Sequence, residues 1–488
     1  MHHESRFSTI SRPPDPHYPR PTAPEHLETP RIHPRSTTHS TERGRARFAV
    51  AVWVVFALAI GAATLLKSDL FVRTDGSRFT AAVAGETATE WMLFARSDTP
   101  PDAPDASRPW VDHLPKSEIA EHHAYGARSV TPEYDRAARR WWRSRTLYTG
   151  GEHGFLYMPQ SAMVYSPFTP LPPALEETTW RVLGIAAYAL GIWGLCRRLF
   201  GETRGTAFLL ATALAVPAAL GSATNGQTNV HMAGLFALTA CATMDRRWWT
   251  ATLWLMLALA CKPTSMVMVL LFGAIWWRPM SWRLAIGIAA FLAAPFLHPD
   301  PAFVLGQYRE FVDKAVRAAA PPDLFQDIRG LLVSFGLPAP ERVLTAVRGI
   351  AALGTLGLCW LAVRRFPAVG PVFVLALGAI YLMLFNPRTE GLSYVILGPA
   401  AALWATREAM ARRWPTFAGL LLLCLAFQFS TQMALNHKNY WVRPLGTILF
   451  AGLVVAEIAR RRTGWPRPEY DADVPRSTSS SAHSEPTA

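Results

Sequence analysis

The feature that most constrains this chain is a series of long apolar runs separated by short basic clusters. The runs lie at about 48–66, 178–196, 206–222, 227–244, 248–261, 264–277, 283–298, 347–363, 368–385, 391–406, 415–431 and 444–459, about twelve in all. A helix of roughly 20 apolar residues crosses a hydrocarbon core of about 30 Å, so runs of this length read as membrane spans. Several are shorter, which leaves individual boundaries soft. Half of the 488 residues are apolar and only 17% are charged, which argues against a soluble multidomain protein.

Charge sets the expected orientation. With the N-terminus inside, the inner connections carry Arg197-Arg198, Arg246-Arg247, Arg278 with Arg283, Arg364-Arg365, Arg412-Arg413 and Arg460-Arg461-Arg462. The outer connections, near Asn225, Lys262, 299–345, 386–390 and 431–443, mix charges or hold few. Short inner loops rich in Lys and Arg follow the positive-inside rule, and an even number of spans puts both termini in the cytoplasm. The first run starts too deep in the chain for a cleaved signal peptide, and Arg43, Arg45 and Arg47 flank its start. The formal charge of +13 is therefore read as membrane topology, and no nucleic-acid partner is expected. The five cysteines, Cys196, Cys241, Cys261, Cys359 and Cys424, fall in or beside apolar runs and read as small apolar side chains, not as a disulfide framework or zinc site.

The expected organisation is a disordered cytoplasmic tail at 1–46, a membrane domain at 47–464 and a second tail at 465–488. Both tails lack the apolar surface that could offset chain entropy. Two long outer loops interrupt the membrane domain, 67–177 and 299–345. Residues 67–120 read as irregular. Residues 131–142 read as a helix, with Pro132 in its first turn and Glu133 favouring the dipole; Gly150-Gly151 should break the chain after it. Five prolines between Pro159 and Pro173 make 155–173 a poor spanning helix, so it is expected as a re-entrant segment lining a cavity. Residues 303–319 should form an amphipathic helix with Val304, Tyr308, Phe311 and Val312 on one face. No internal repeat of the transporter kind is visible.

Phe155-Leu156-Tyr157-Met158-Pro159-Gln160-Ser161-Ala162, then Ser166-Pro167-Phe168 and Leu171-Pro172-Pro173, after Arg140-Trp141-Trp142 and Leu147-Tyr148, resemble the motifs of glycosyltransferase family 87. Downstream, Asn225-Gly226-Gln227-Thr228-Asn229, Cys261-Lys262-Pro263 and Asn386-Pro387-Arg388 resemble that family's outer-turn motifs. The resemblance covers roughly residues 130–430. It implies a GT-C-like, all-α polytopic membrane protein that transfers a hexose, mannose first, from a polyprenyl-phosphate sugar. The acceptor would be an extracytoplasmic glycolipid, glycan or protein. The implied setting is the inner (plasma) membrane, with the lipid bilayer itself a partner. The context of Asp69 departs from the position where such enzymes place a catalytic aspartate after the first span. Tyr134-Asp135 stands near the family's acidic position but out of register, and Ser393-Tyr394 stands where a late histidine occurs.

Glycosyl transfer from a lipid phosphate needs a base for the acceptor hydroxyl, cations or amide donors for the departing phosphate, and an apolar path for the lipid. Asp135 is the first candidate base, with Asp69 and Glu133 behind it; the alternative for each is a capping or solvated carboxylate. Lys262 and Arg388 are candidate phosphate ligands and Glu390 a candidate substrate ligand, against snorkelling for Lys262 and a structural Arg388–Glu390 pair for the other two. Asn225 and Gln227 are candidate sugar ligands, with helix capping as the alternative. Tyr157 is a candidate sugar or lipid contact, against an interfacial anchor. Neither a metal site nor a cofactor is expected: His122, His123 and His153 lack a second ligand set. The competing reading is a non-catalytic relative, a transporter or a lipid-binding membrane protein.

Overall fold

The computed structural model describes residues 35–65, 69–81, 83–94, 111–123, 129–148, 154–318, 325–433, 440–461 and 463–465. The expected tails fall largely outside the described residues, as do Gly150, Gly151, His153 and the Ser-Pro-rich 97–107 stretch. Each apolar run read from the sequence overlaps a helix, but the run at 391–406 divides into a 3-10 segment, Gly391–Ile396, and a helix that starts at Gly398. The chain opens with α1 (Arg35–Leu65), which begins inside the stretch expected to be unstructured. From residue 131 onward come α2 (Thr131–Trp142), α3 (Pro159–Tyr165), α4 (Pro173–Leu199), α5 (Arg204–Asn225), α6 (Asn229–Met244), α7 (Trp248–Cys261), α8 (Met266–Ile275) and α9 (Trp277–Ala293). The second outer loop holds α10 (Pro301–Ala318) and α11 (Ile328–Ser334). The chain ends with α12 (Glu341–Arg365), α13 (Gly370–Phe385), α14 (Gly398–Met410), α15 (Trp414–Met433) and α16 (Val442–Ala459).

The protein is a multi-pass α-helical membrane protein. Among the described residues six helices are long and apolar enough to cross a bilayer: Ser40–Thr64, Ala174–Leu199, Gly201–Asn225, Trp277–Leu297, Glu341–Arg365 and Val442–Ala459. Five apolar helices are shorter, among them Asn229–Met244 and Gly370–Phe385. The short ones make the centre: α6 and α13 are buried on nearly all faces, so their backbone groups are shielded by protein. The long ones α1, α9 and α12 stand outside and present apolar side chains such as Leu58, Ile286 and Leu353. Small residues let the central helices touch. A Cβ at Gly234 would lie 2.4 Å from the Ala187 carbonyl carbon and 2.5 Å from the Tyr188 nitrogen, so α6 and α4 cross backbone to backbone.

Three expectations need correction. The described residues between 69 and 123 are not irregular. They hold six short strands, β1 (Asp69–Arg73), β2 (Arg78–Ala81), β3 (Val83–Glu86), β4 (Glu90–Phe94), β5 (Val111–Pro115) and β6 (Ile119–His123), in two antiparallel sheets ordered β2-β1-β6 and β3-β4-β5. Strands this short carry too few alternations to be read by period, yet Phe71, Leu93 and Leu114 bury a common core. The fold is thus helical with a small sheet unit between α1 and α2. The stretch between the runs at 264–277 and 283–298 is no loop either, because α8 and α9 are joined through Trp276 alone and Arg278 and Arg283 sit in α9. In α10, Val304 is buried and Tyr308 and Phe311 are partly covered, but Val312 turns outward, 56% exposed. At 100° per residue it falls one step beyond the buried stripe.

Candidate functional site

The site forms where α2 lies across the start of α4, the end of α5 and the start of α6. In α2, Tyr134, Ala137, Ala138 and Trp141 recur at helical spacing and are buried. They pack with Tyr165, Phe155, Trp180 and Val304 into an aromatic cluster. The start of α2 has no side-chain cap; the Val130 amide donates to the Asn225 carbonyl at 3.0 Å and ties α2 to the end of α5. Gly226 caps α5 at φ +74°, and a Cβ there would meet Thr131 Cγ2 at 2.6 Å. The fully buried Arg181 guanidinium fastens the corner. It donates to Glu177 at 2.8 Å, to Ser129 Oγ at 2.7 Å and to the Thr224 carbonyl at 3.3 Å.

Beyond Gly226 runs a chain of polar side chains. The Gln227 amide donates to Glu390 Oε2 at 2.7 Å. Asn229 Nδ2 donates to Gln227 Oε1 at 2.6 Å and to Ser393 Oγ at 3.4 Å, and Lys262 Nζ approaches Asn229 Oδ1 at 3.5 Å. Lys262 lies where α7 stops because Pro263 follows, and its extended backbone (φ −159°) turns the side chain out of the helix. The turn after α5, the α7–α8 junction and the 386–393 loop thereby meet, bringing Gln227, Lys262 and Glu390 into one network. Tyr157 joins it from α2's side: its hydroxyl lies 3.2 Å from that of Tyr134, which also bonds Thr228. Burial pushes the Tyr134 phenol well above its ordinary pKa, so it stays protonated as a hydrogen-bonding group.

A second cationic group borders the network. Lys314 of α10, 2% exposed, interacts electrostatically with Glu133 and with Arg388; burial lowers its pKa, partly opposed by Glu133. Arg388 also stacks over Phe325, 5.7 Å from the ring centre. Glu133 is 37% exposed at its side chain and bonds Arg136 at 3.1 Å.

The other two carboxylates are held elsewhere. Asp135 accepts two bonds from Arg139 Nε, at 2.7 and 3.0 Å, while Arg139 Nη2 donates to the Thr169 carbonyl at 2.6 Å. Asp135 faces Glu176, the buried first-turn acid of α4, and burial raises its pKa above the ordinary value against the pull of Arg139. Asp69 is buried in β1, and its Oδ2 lies 2.9 Å from Nε2 of His122 in β6, part of the sheet unit. Trp141 is buried against His298, and Trp142 is half-exposed with Nε1 bonded to Ser166.

Sequence reading passed over Glu176, Arg181 and Lys314. A signal existed for the first two, since Glu176-Glu177 and Arg181 open an otherwise apolar span, where charge is costly unless paired. Lys314 follows Phe311 by three residues on the buried stripe of α10, where a lysine should have stood out.

An apolar cavity of about 470 Å³ lies between α7 and α9. Gln160 and Met163 line it near α3, Ala260 sits two residues before Lys262, and Trp249 lines it toward the other end of α7. Gln160 Nε2 donates to the Phe291 carbonyl at 2.9 Å and to the Tyr308 hydroxyl at 2.7 Å, which fixes the mouth.

The model of glycosyltransferase family 87 matches residues 155–387. Tyr157, Asn225, Gln227 and Lys262 lie inside the match, which stops one residue before Arg388; Asp69, Glu133 and Asp135 precede it. No curated protein matches the chain.

Proposed function

Residues 155–387 belong to glycosyltransferase family 87, and from that premise we propose that this membrane glycosyltransferase moves a hexose, mannose first, from a polyprenyl-phosphate sugar to an extracytoplasmic glycolipid, glycan or protein. The observation that carries the reading is a polar network of Gln227, Asn229, Lys262 and Glu390 able to take a phosphate and a sugar, with an apolar cavity able to take a lipid chain along α7, the helix that ends at Lys262.

In the reaction, the acceptor oxygen attacks C1 of the sugar and its proton passes to a carboxylate. The C1–O bond to phosphate breaks, and polyprenyl phosphate leaves with the electron pair. Lys262, with Arg388 and Lys314 at the rim, would receive the growing negative charge. Asn225 and Gln227 would orient sugar hydroxyls, with Tyr157 against the ring. Asp135 remains the first proposal for the base, with Glu133 and Asp69 as alternatives. A raised pKa suits a base, but Arg139 must release it first. The proposed location is the inner (plasma) membrane, with both termini cytoplasmic.

One observation favours a second reading, a non-catalytic relative: Asp135 is held by Arg139 and Asp69 by His122. The test incubates protein in lipid nanodiscs with radiolabelled polyprenyl-phosphate mannose and a total membrane-lipid extract. Label in a new product, lost in Asp135→Asn, supports the enzyme and its base. Donor retained with no product favours the non-catalytic relative.

A further inference from the structure

At the far end of α4 from this site lies a second cavity, of about 870 Å³, formed where the start of α1 meets the turn between α4 and α5. At 1.5 Å per residue, Arg197 stands roughly 30 Å along α4 from Glu176. The walls bring together arginines from three elements: Arg43 and Arg47 of α1, Arg197 of α4 and Arg204 of α5, with Trp193 between them. Two carboxylates also line it. Glu42 is already engaged, accepting from the Thr206 amide at 2.9 Å, from Thr206 Oγ1 at 2.5 Å and from Arg45 at 2.8 Å. Glu202 stands on the turn. The side chains of Arg43, Arg47 and Arg204 make no hydrogen bond or ion pair among the described residues.

The frame of the cavity is rigid. A Cβ on Gly205 would stand 2.1 Å from the Glu42 carbonyl oxygen, so α1 and α5 touch backbone to backbone beside it. Next to it, α1 exposes Phe48, Val55 and Leu58, an apolar face of the kind acyl chains cover.

We propose that this cavity is a binding site for a phosphate-bearing anion, filled by the headgroup of an anionic phospholipid whose chains lie along α1. A guanidinium binds phosphate oxygens in a bidentate fork, and several forks around one concave site give geometry that scattered basic residues lack. Basic pockets between membrane helices at the cytoplasmic side take anionic headgroups for this reason. The site is independent of sugar transfer.

The test uses purified full-length protein and native mass spectrometry with added phosphatidylglycerol or phosphatidylcholine. Wild type should retain phosphatidylglycerol in preference. Arg43→Gln/Arg47→Gln/Arg204→Gln should lose about tenfold or more of that retention, with the melting temperature measured alongside. The matching triple lysine variant, which keeps the charge but loses the forks, should retain less than wild type and more than the glutamine triple. Arg246→Gln/Arg247→Gln/Arg364→Gln, three arginines outside the cavity, should match wild type. A further arm adds glycerol phosphate: failure to displace the lipid supports the headgroup, and displacement at equal concentration assigns the same site to a soluble phosphate. Equal loss in the control triple, or equal retention of phosphatidylcholine, would overturn the proposal and leave only a generally basic face.

Discussion

Gln227 and Glu390, 163 positions apart in sequence, are joined by a 2.7 Å hydrogen bond from the amide to the carboxylate. That bond links the turn after α5 to the loop after α13, and Asn229 and Lys262 extend it to the end of α7. The two side chains therefore act as one unit. Gln227→Leu and Glu390→Ala should each lower transfer by about 10- to 100-fold, and the double variant should fall little further, because groups in one network are not additive. A double-mutant cycle on transfer rates checks this; full additivity would argue that the two act separately.

Proton transfer separates the three carboxylates. If Asp135 is the base, transfer should rise with pH through a pKa above the ordinary aspartate value, because the proton must leave before the group can accept another. Asp135→Asn should lose transfer by about 10²-fold or more and flatten that rise. Asp69→Asn, altering a group in the sheet unit, should leave the profile's shape intact.

Asp327 supplies a stability test outside the spans. It caps α11, accepting from the Gly330 amide at 2.9 Å, and burial drives its carboxyl up to about 6. An unfolded aspartate has a pKa of about 3.9. The folded protein therefore holds a proton that the unfolded chain has released, and stability from this group falls as pH rises from about 4 to about 6, then levels. Asp327→Asn should remove that fall while keeping the cap; Asp327→Ala should also lose the cap, about 1 kcal/mol. Thermal unfolding in detergent across pH 4 to 8 measures both.

The α4–α6 crossing predicts a steric asymmetry between glycines. Gly234→Ala places a methyl against the Ala187–Tyr188 backbone and should cost about 1–3 kcal/mol or prevent assembly. Gly452→Ala meets nothing within 4 Å and should be neutral or slightly stabilising. Melting temperatures of the two variants decide it.

The helices were legible because lipid demands long apolar segments, and the 131–142 helix because proline and acid mark its start. The sheets were not, since strands of four or five residues leave almost no period to read. Gln227 and Lys262 were picked out by the resemblance and Glu390 by its place beside Arg388, but their meeting was not legible. It depends on three connections converging at one end of the bundle. Lys314 was hidden because its helix was read for apolar residues alone. The Arg139 bond to Asp135 could be read as an i,i+4 pair, though not the Thr169 carbonyl that holds the arginine in place.

The measurement that bears most directly on the account is transfer of label from polyprenyl-phosphate mannose by wild type and Lys262→Ala in nanodiscs, with donor binding and melting temperature followed in parallel. Lys262 is the cation of the polar network and stands at the end of α7, the helix that walls the apolar cavity. The account predicts labelled product from wild type and a loss of about 10²-fold or more in Lys262→Ala, with the fold intact. Undiminished transfer by Lys262→Ala would contradict it and move the reacting phosphate away from this network.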